Sequence, residues 1–572
     1  MRARTSTSIA ILVAVAEDDR ADVACLLPAD GQTLLARLVG QLRAVGVNRV
    51  IVLTRPRWAT ACAQAADVDV EACASVSAML DRIAQIARAT TTDLLIAHAD
   101  VLTHDAAIAE LLLDGRVRNG VLSSSEAASP LGCAPMRISG QRVVASGSAY
   151  HRCERANARL LGMCKVGHAD LDRAAKAVEE LATLVASGPP PEWCAELERK
   201  FASGPTAVAT TGGPGVDAGP VAVGGALAAE PDGSRAPHVT TAANHRSTVA
   251  ALRDDPLPLV VVGLVRRDIP VTSVYLRELF WGRPRAPGAA ATAVEQLQGI
   301  DEDAVVLDSA VKDVDGFFTT FCVSPYSRYV ARWAARRGLT PNQVTVASMV
   351  LGLLAATAFA SGSRAGLITG AVLLQLAFTA DCVDGQLARY TRQFSEFGGW
   401  LDSVLDRGKE YVVYAGLAIG STHAPAAGAS AGEGIWLLAT AALALQTFRH
   451  FADFSVGAQR RMTPDPPIWH PLEAASETPV ARPGSHAGAV PAVSTRHSGA
   501  GQAAISALVT FGRRPWMTWA KRIVVLPIGE RFALISVTAA VWDPRVTFVA
   551  LLTWGTVAAA YTTTIRILRP VA

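Results

Sequence analysis

The sequence predicts a two-part protein, with an α/β sheet domain over residues 1–202 and an all-α membrane domain of six transmembrane helices over 321–572. Three observations carry this reading. Short apolar runs of strand type alternate with helical patterns through the first 200 residues or so. Stretches apolar for long enough to cross a bilayer, which takes roughly 20 residues, occur only in the second half. Between the halves, 203–237 is a low-complexity mixture of Gly, Ala, Pro and Val that reads as a flexible linker. Composition taken whole would mislead, because 18% charged residues look soluble while 50% hydrophobic residues and a mean hydropathy of +0.27 do not.

In the first half, Ser8 to Val15, Arg49 to Thr54 and Asp93 to Ala97 read as strands, and Leu34, Leu35, Leu38, Val39 and Leu42 line one face of a helix. Strands separated by helices predict a parallel sheet. The first apolar run is short and is followed by Glu17, Asp18 and Asp19, so it is not read as a signal peptide. Residues 238–320 contain a strand-like Leu257 to Val265 and a polar stretch ending at Val314-Asp315-Gly316-Phe317-Phe318. No chemistry is legible in this segment, which is expected to pack between the two domains.

Ahead of the first span, Tyr326, Tyr329, Val330 and Trp333 form one stripe and Arg328, Arg332, Arg336 and Arg337 occupy the rest of the surface. This predicts an amphipathic helix lying against anionic lipid, a soluble packing helix being the alternative. The six spans are expected near 343–361, 366–386, 399–420, 435–455, 523–541 and 546–566, and most of 457–520 as flexible loop. Arg336, Arg337, Arg389, Arg392, Arg460, Arg461, Arg513, Arg514, Lys521, Arg522, Arg566 and Arg569 fall on one side of these spans, against Arg364 and Arg545 on the other. The excess of Lys and Arg marks the cytoplasmic side, so both termini are expected there, with the protein in the cytoplasmic (inner) membrane.

The most informative run begins where the second apolar stretch ends. Asp381, Asp384, Gly385, Ala388 and Arg389 are followed, after eight residues, by Gly398, Asp402 and Asp406. On helices, Asp381, Asp384 and Ala388 share a face, as do Gly398, Asp402 and Asp406. If these helices pack antiparallel through the turn around Arg392 to Glu396, four carboxylates converge. Like charges so close either raise one another's pKa or bind cations, and an all-oxygen set suits hard divalent ions such as Mg²⁺ or Mn²⁺. A pair of such ions can clamp a pyrophosphate, Arg389 can supply a fixed positive fork for a phosphate, and the glycines admit a nucleotide close to the backbone. Ordinary helix-end acids solvated at the membrane surface are the bland alternative, which four acids with two glycines, an alanine and an arginine at these intervals disfavour.

These residues match the D-x-x-D-G-x-x-A-R, eight residues, G-x-x-x-D-x-x-x-D signature at every position, and the region resembles the CDP-alcohol phosphotransferases, which are integral membrane enzymes. The resemblance implies transfer of a phosphoalcohol group from a CDP-linked donor to the hydroxyl of an alcohol or phosphorylated alcohol, with release of CMP, among membrane lipids and commonly as a homodimer. It makes Asp381, Asp384, Asp402 and Asp406 ligands of two Mg²⁺ or Mn²⁺ ions, with Asp406 also the base that activates the acceptor. Gly385, Ala388, Arg389 and Gly398 would line the CDP site. So would Pro341, Asn342 and Thr345, where Thr340-Pro341-Asn342 and Thr345 match the family's T-P-N-x-x-T and also read as a plain helix start. Lys409, Arg449, Arg513, Arg514 and Arg522 are the basic residues best situated to meet a phosphorylated acceptor, although positive-inside topology accounts for most of them equally well.

The first 150 residues or so resemble sugar-nucleotide-type nucleotidyltransferases through Leu26-Leu27-Pro28-Ala29-Asp30-Gly31, the run from Ala44 to Val52, and Asp93 to Asp100, whose last residue would be a metal-binding Asp. Where that family has a glycine-rich phosphate loop with a basic residue, this chain has Ala14-Val15-Ala16-Glu17-Asp18-Asp19-Arg20, whose carboxylates would repel a phosphate. A degenerate domain is expected, with retained cytidylyltransferase activity as the alternative and Asp100 a relic or an ordinary strand-end acid. The pairing of domains resembles bifunctional inositol-1-phosphate cytidylyltransferase/di-myo-inositol phosphate phosphate synthases. Donors that use CDP-diacylglycerol or CDP-inositol both fit the signature, as does the remote alternative of a non-catalytic membrane scaffold or nucleotide sensor. Removal of residues 1 to about 237 is expected to leave phosphotransfer intact.

The nine cysteines form no C-x-x-C pair and suggest neither zinc nor disulfides. A net charge of +3 gives no reason to expect nucleic acid.

Overall fold

The computed structural model describes residues 8–125, 133–151, 153, 156–188, 255–312, 315–423, 434–462 and 515–568. The expected linker at 203–237, most of the expected loop at 457–520, and Arg513 and Arg514 lie outside these residues.

The first half is built on a nine-stranded sheet in the order Asp69–Ala72, Val47–Thr54, Ser8–Ala14, Leu94–His98, Ala158–Val166, Gly120–Ser125, Thr272–Tyr275, Arg142–Ser146, Pro135–Ser139. The first four strands pair in parallel. Ala158–Val166 then runs antiparallel to both of its neighbours, so the sheet is mixed rather than parallel. An apolar run encodes burial but not direction, and antiparallel neighbours need no helical crossover to announce them. Alternation along each strand feeds two cores. Ile11 and Val13 pack with the helices Val76–Ala89, Leu171–Ser187 and Pro256–Arg266, while Ala10 and Leu12 pack with Leu34–Ala44 and Asp105–Leu113.

The segment Leu257 to Val265, expected as a strand, is part of the helix Pro256–Arg266. Asp255 caps it by accepting from the Leu257 amide at 3.0 Å, and Pro256 begins its first turn. Pro256 through Leu264 are buried without a break, which erases the helical periodicity and makes a buried helix read like a buried strand. The chain then enters the sheet as Thr272–Tyr275, parallel to Gly120–Ser125. Residues from 255 onward therefore build the sheet domain, where a spacer between domains was expected.

In the second half, Ser324–Arg336 buries Ser324, Ser327, Ala331 and Ala334 and leaves Tyr326, Tyr329, Val330 and Trp333 exposed. An apolar aromatic stripe turned away from the protein suits a membrane interface. Helices follow at all six expected locations, but those long and apolar enough to cross a membrane are Pro341–Ala360, Arg364–Thr391 and Pro544–Arg566, or up to four spans with the bent pair Trp519–Val525 and Ile528–Val541. Several helices are thus long and apolar enough to span a membrane, and among the described residues length and apolar character mark three or four of the six expected spans. Glu396–His423 falls short because Asp402, Asp406, Arg407, Lys409 and Glu410 interrupt it. The 67° bend in the pair sits at Leu526 and Pro527, with Leu526 at φ +52°. Arg449 donates to the freed carbonyls of Val525 (2.6 Å) and Leu526 (3.3 Å), and Arg531 donates to Leu526 at 3.0 Å.

Candidate active site

Three helices build the site. Pro341–Ala360 opens with a capping box in which Thr340 and Gln343 exchange backbone and side-chain bonds. It presents Thr345, Ser348 and Gly352 on one buried face. Arg364–Thr391 carries Asp381 and Asp384, and Glu396–His423 carries Asp402 and Asp406. The turn between these two signature helices spans only 392–395, which brings their acids together.

Carboxylate oxygens of Asp381, Asp384 and Asp402 all lie within 4.8 Å of one another. Asp406 joins them through Lys409, whose ammonium donates to Asp381 at 2.6 Å and to Asp406 at 3.3 Å. The hydroxyl of Thr345 donates to Asp384 at 2.6 Å, while that of Ser348 donates to the Ala377 carbonyl at 2.8 Å and lies 3.4 Å from Asp381. Three carboxylates at this separation, supported by neighbouring hydroxyls, provide the all-oxygen donor set that suits a hard divalent cation.

Lys409, expected as an acceptor contact, is 1% exposed and committed to the two acids. It fits because Gly352 faces it: a Cβ at 352 would lie 2.5 Å from the Lys409 Cγ. Gly398 has a similar reason, since a Cβ there would meet Asn342 Oδ1 and Ser395 Oγ, both at 2.8 Å. Pro341 accepts from the Thr345 hydroxyl at 3.1 Å, and Gly385 and Ala388 lie half-buried on the same helix as the first two acids. Arg389 donates through Nε to the carbonyl of Ala310. Arg449 caps the helix break, and Arg522 donates to the Asp315 carbonyl at 3.3 Å, so neither contacts the carboxylates.

Sequence reasoning missed Ser348, Gly352 and the network around Glu410. Glu410 is fully buried, accepting from Tyr414 at 2.7 Å and from Arg531 at 3.0 and 3.2 Å. The spacing of Thr345, Ser348 and Gly352, small and polar on one helical face, was the available signal for the first two.

In the sheet domain, Asp100 is 2% exposed and held by Arg283 at 3.0 Å and Arg285 at 2.9 Å. Burial pushes its carboxyl upward, but the two guanidiniums outweigh that and hold it well below the usual carboxylate range. Its charge is already met within the chain. Nearby, Asp18 Oδ1 accepts from the amides of Arg20 (2.9 Å) and Asp22 (2.8 Å), occupying nitrogens that a phosphate would need.

Residues 338–473 match the family model described as CDP-alcohol phosphatidyltransferase. The membrane half thus contains a region similar to the CDP-alcohol phosphatidyltransferases. The chain is 37% identical over 91 residues to the archaetidylinositol phosphate synthase of Pyrococcus horikoshii, covering 16% of this chain and 47% of that one. It is 31% identical over 156 residues to the bifunctional IPC transferase and DIPP synthase of Aquifex aeolicus, covering 27% and 32%. With the phosphatidylinositol phosphate synthase of Mycolicibacterium smegmatis, identity is 40% over 92 residues, covering 16% and 40%. The chain thus spans less than half the length of each of these relatives. Among solved structures, the inositol-1-phosphate CTP transferase from T. maritima aligns with a TM-score of 0.32 at 10% identity, over 52% of this chain and 97% of that one.

Proposed function

We propose that this chain transfers a phosphoalcohol group from a CDP-linked donor to an acceptor hydroxyl, releasing CMP. The observation that carries the reading is the meeting of Asp381, Asp384 and Asp402 within 4.8 Å on two helices of the region similar to the CDP-alcohol phosphatidyltransferases. Asp381, Asp384, Asp402 and Asp406 would hold two Mg²⁺ or Mn²⁺ ions, which when bound supply Lewis-acid stabilisation of the phosphoryl oxygens. Thr345 holds the carboxylate of Asp384 and Lys409 that of Asp381, so the donor set is oriented before substrate arrives. Gly385, Ala388, Arg389, Gly398, Pro341 and Asn342 line the approach for the cytidine diphosphate, with Arg389 pairing a phosphate through its fork.

Asp406 takes the proton of the acceptor hydroxyl. The acceptor oxygen forms a bond to the β-phosphorus, the bond from that phosphorus to the bridging oxygen breaks, and CMP leaves with that oxygen. The relatives named for inositol phosphate products favour a phosphorylated inositol as acceptor. Arg449, Arg513, Arg514 and Arg522 are the basic residues proposed to meet its phosphate. The acid cluster would face the cytoplasm, and the protein would work as a dimer in the inner membrane. The sheet domain does not transfer cytidylyl groups, because Asp100 is engaged by Arg283 and Arg285.

The deciding experiment is CMP release by the protein in nanodiscs with Mg²⁺. CDP-diacylglycerol and CDP-inositol are compared as donors, and inositol, inositol phosphate and glycerol phosphate as acceptors. Release with the lipid donor and inositol phosphate is expected, while release with CDP-inositol alone would assign a soluble phosphodiester product. No release with any pair would overturn the reading and favour a scaffold.

A further inference from the structure

The turn that joins the two signature helices is gripped from outside the membrane domain. Arg392 closes the first signature helix in the left-handed conformation, φ +56°, which a side chain seldom adopts without external support. Its guanidinium donates to the carbonyl of Ala106 at 3.0 Å, at the start of the sheet domain's helix Asp105–Leu113. Two residues further on, the guanidinium of Arg116 lies over the ring of Phe394 at 3.7 Å. A cation so close to an aromatic face is held by the ring quadrupole.

A second strand of contacts reaches the site itself. The carboxylate of Glu302 accepts from the Ala106 amide, so one residue, through its N–H and its C=O, joins the turn to the helix Glu302–Ser309. Asp303 on that helix accepts from the Tyr390 hydroxyl at 2.5 Å and pairs with Arg332 at 3.0 Å, and Asp308 pairs with Arg328. At its end the buried Ala310 offers its carbonyl to Nε of Arg389. Arg389 is thereby held from one side by the sheet domain while its terminal nitrogens remain near Gly385, 3.4 Å from where a Cβ would stand.

We propose that the sheet domain is a clamp on the phosphotransfer site: it fixes the turn between the signature helices through Arg116 and the Ala106 carbonyl, and fixes Arg389 through the Ala310 carbonyl. The kinetic consequence rests on the function proposed above, whereas the clamp itself does not. Arg116, Arg392 and Asp303 are positioning residues, acting through the turn and Arg389. The clamp reverses the expectation that removing residues 1 to about 237 leaves phosphotransfer intact, because Ala106 and Arg116 go with them.

The test uses the full chain in nanodiscs and compares Arg116→Ala, Arg392→Ala, the double variant and Arg116→Lys. Two readouts are taken: amide hydrogen exchange across residues 390–397, and CMP release resolved into kcat and donor KM. Loss of the two contacts is expected to speed exchange of the turn about tenfold and to raise donor KM about tenfold with a smaller change in kcat. Arg116→Lys, which keeps a cation over the ring, should restore most of both. Unchanged exchange in the double variant would overturn the clamp, whether or not CMP is released. Faster exchange with unaltered kinetics would overturn its positioning role. Faster exchange in a protein that releases no CMP with any donor would support the clamp and refute the phosphotransfer reading.

Discussion

The ammonium of Lys409 lies 2.6 Å from the carboxylate of Asp381 and so ties the second signature helix to the first. With 1% of its side chain exposed, and Asp406 a further 3.3 Å contact, Lys409 is the internal counter-charge of the acid cluster. A cation held by Asp381, Asp384 and Asp402 would neutralise Asp381 as well, so the lysine and the metal share the charge of that acid.

Replacing Lys409 with Met should therefore make stability depend on divalent cation. Removing one partner of a buried ion pair typically costs about 3–5 kcal/mol. The variant should unfold at a clearly lower temperature than the parent in EDTA and recover much of the difference in Mg²⁺ or Mn²⁺. A thermal shift of equal size with and without the ions would refute this sharing.

Thr345→Val removes the hydroxyl that donates to Asp384 at 2.6 Å while keeping the side chain's shape. Partners that orient a metal ligand are typically worth about 10–100-fold in affinity or activity. The Mg²⁺ concentration for half-maximal CMP release should rise by about tenfold or more, with expression and folding preserved. An unaltered Mg²⁺ dependence would mean that Asp384 needs no such support.

Asp406→Asn leaves the fold in place and removes the base. General-base catalysis is worth about 10²–10⁴-fold, so CMP release should fall by that order while thermal unfolding shifts little. Retention of activity would transfer the role of base to another group.

The aspartate cluster was legible because spacings of three and four residues on consecutive helices dictate which faces the acids occupy. Asp381, Asp384, Asp402 and Asp406 needed no long-range information beyond a short turn. Lys409 was misjudged for the same reason: three residues beyond Asp406, it could point to substrate or back into the cluster, and only Gly352 on a different helix decides. Asp100 shows the limit more sharply, since Arg283 and Arg285 lie far along the chain and beyond a segment with no readable chemistry. The strand expected at Leu257 to Val265 failed because uninterrupted burial removes the periodicity that separates helix from strand. Arg392 and Ala106 belong to different domains, and no local pattern records their contact.

The pairing at Asp100 gives the sheet domain a specific acid response. Burial alone would raise this carboxyl, but Arg283 and Arg285 hold it well below its ordinary value. A carboxyl depressed by folding contributes stability that is complete above its unfolded pKa of about 4 and fades as the pH falls further towards the folded value. Asp100→Asn removes that contribution and strands two buried guanidiniums, at a cost of roughly 3–5 kcal/mol near neutral pH. Parent and variant should therefore differ most at about pH 7 and converge as the pH is lowered below about 4. Hydrogen exchange of Leu94–His98, at the centre of the sheet, would follow this separately from the membrane helices. A difference that stays constant down to low pH would mean that Asp100 does not act through its charge, and the assignment of Arg283 and Arg285 as its permanent partners would fall with it.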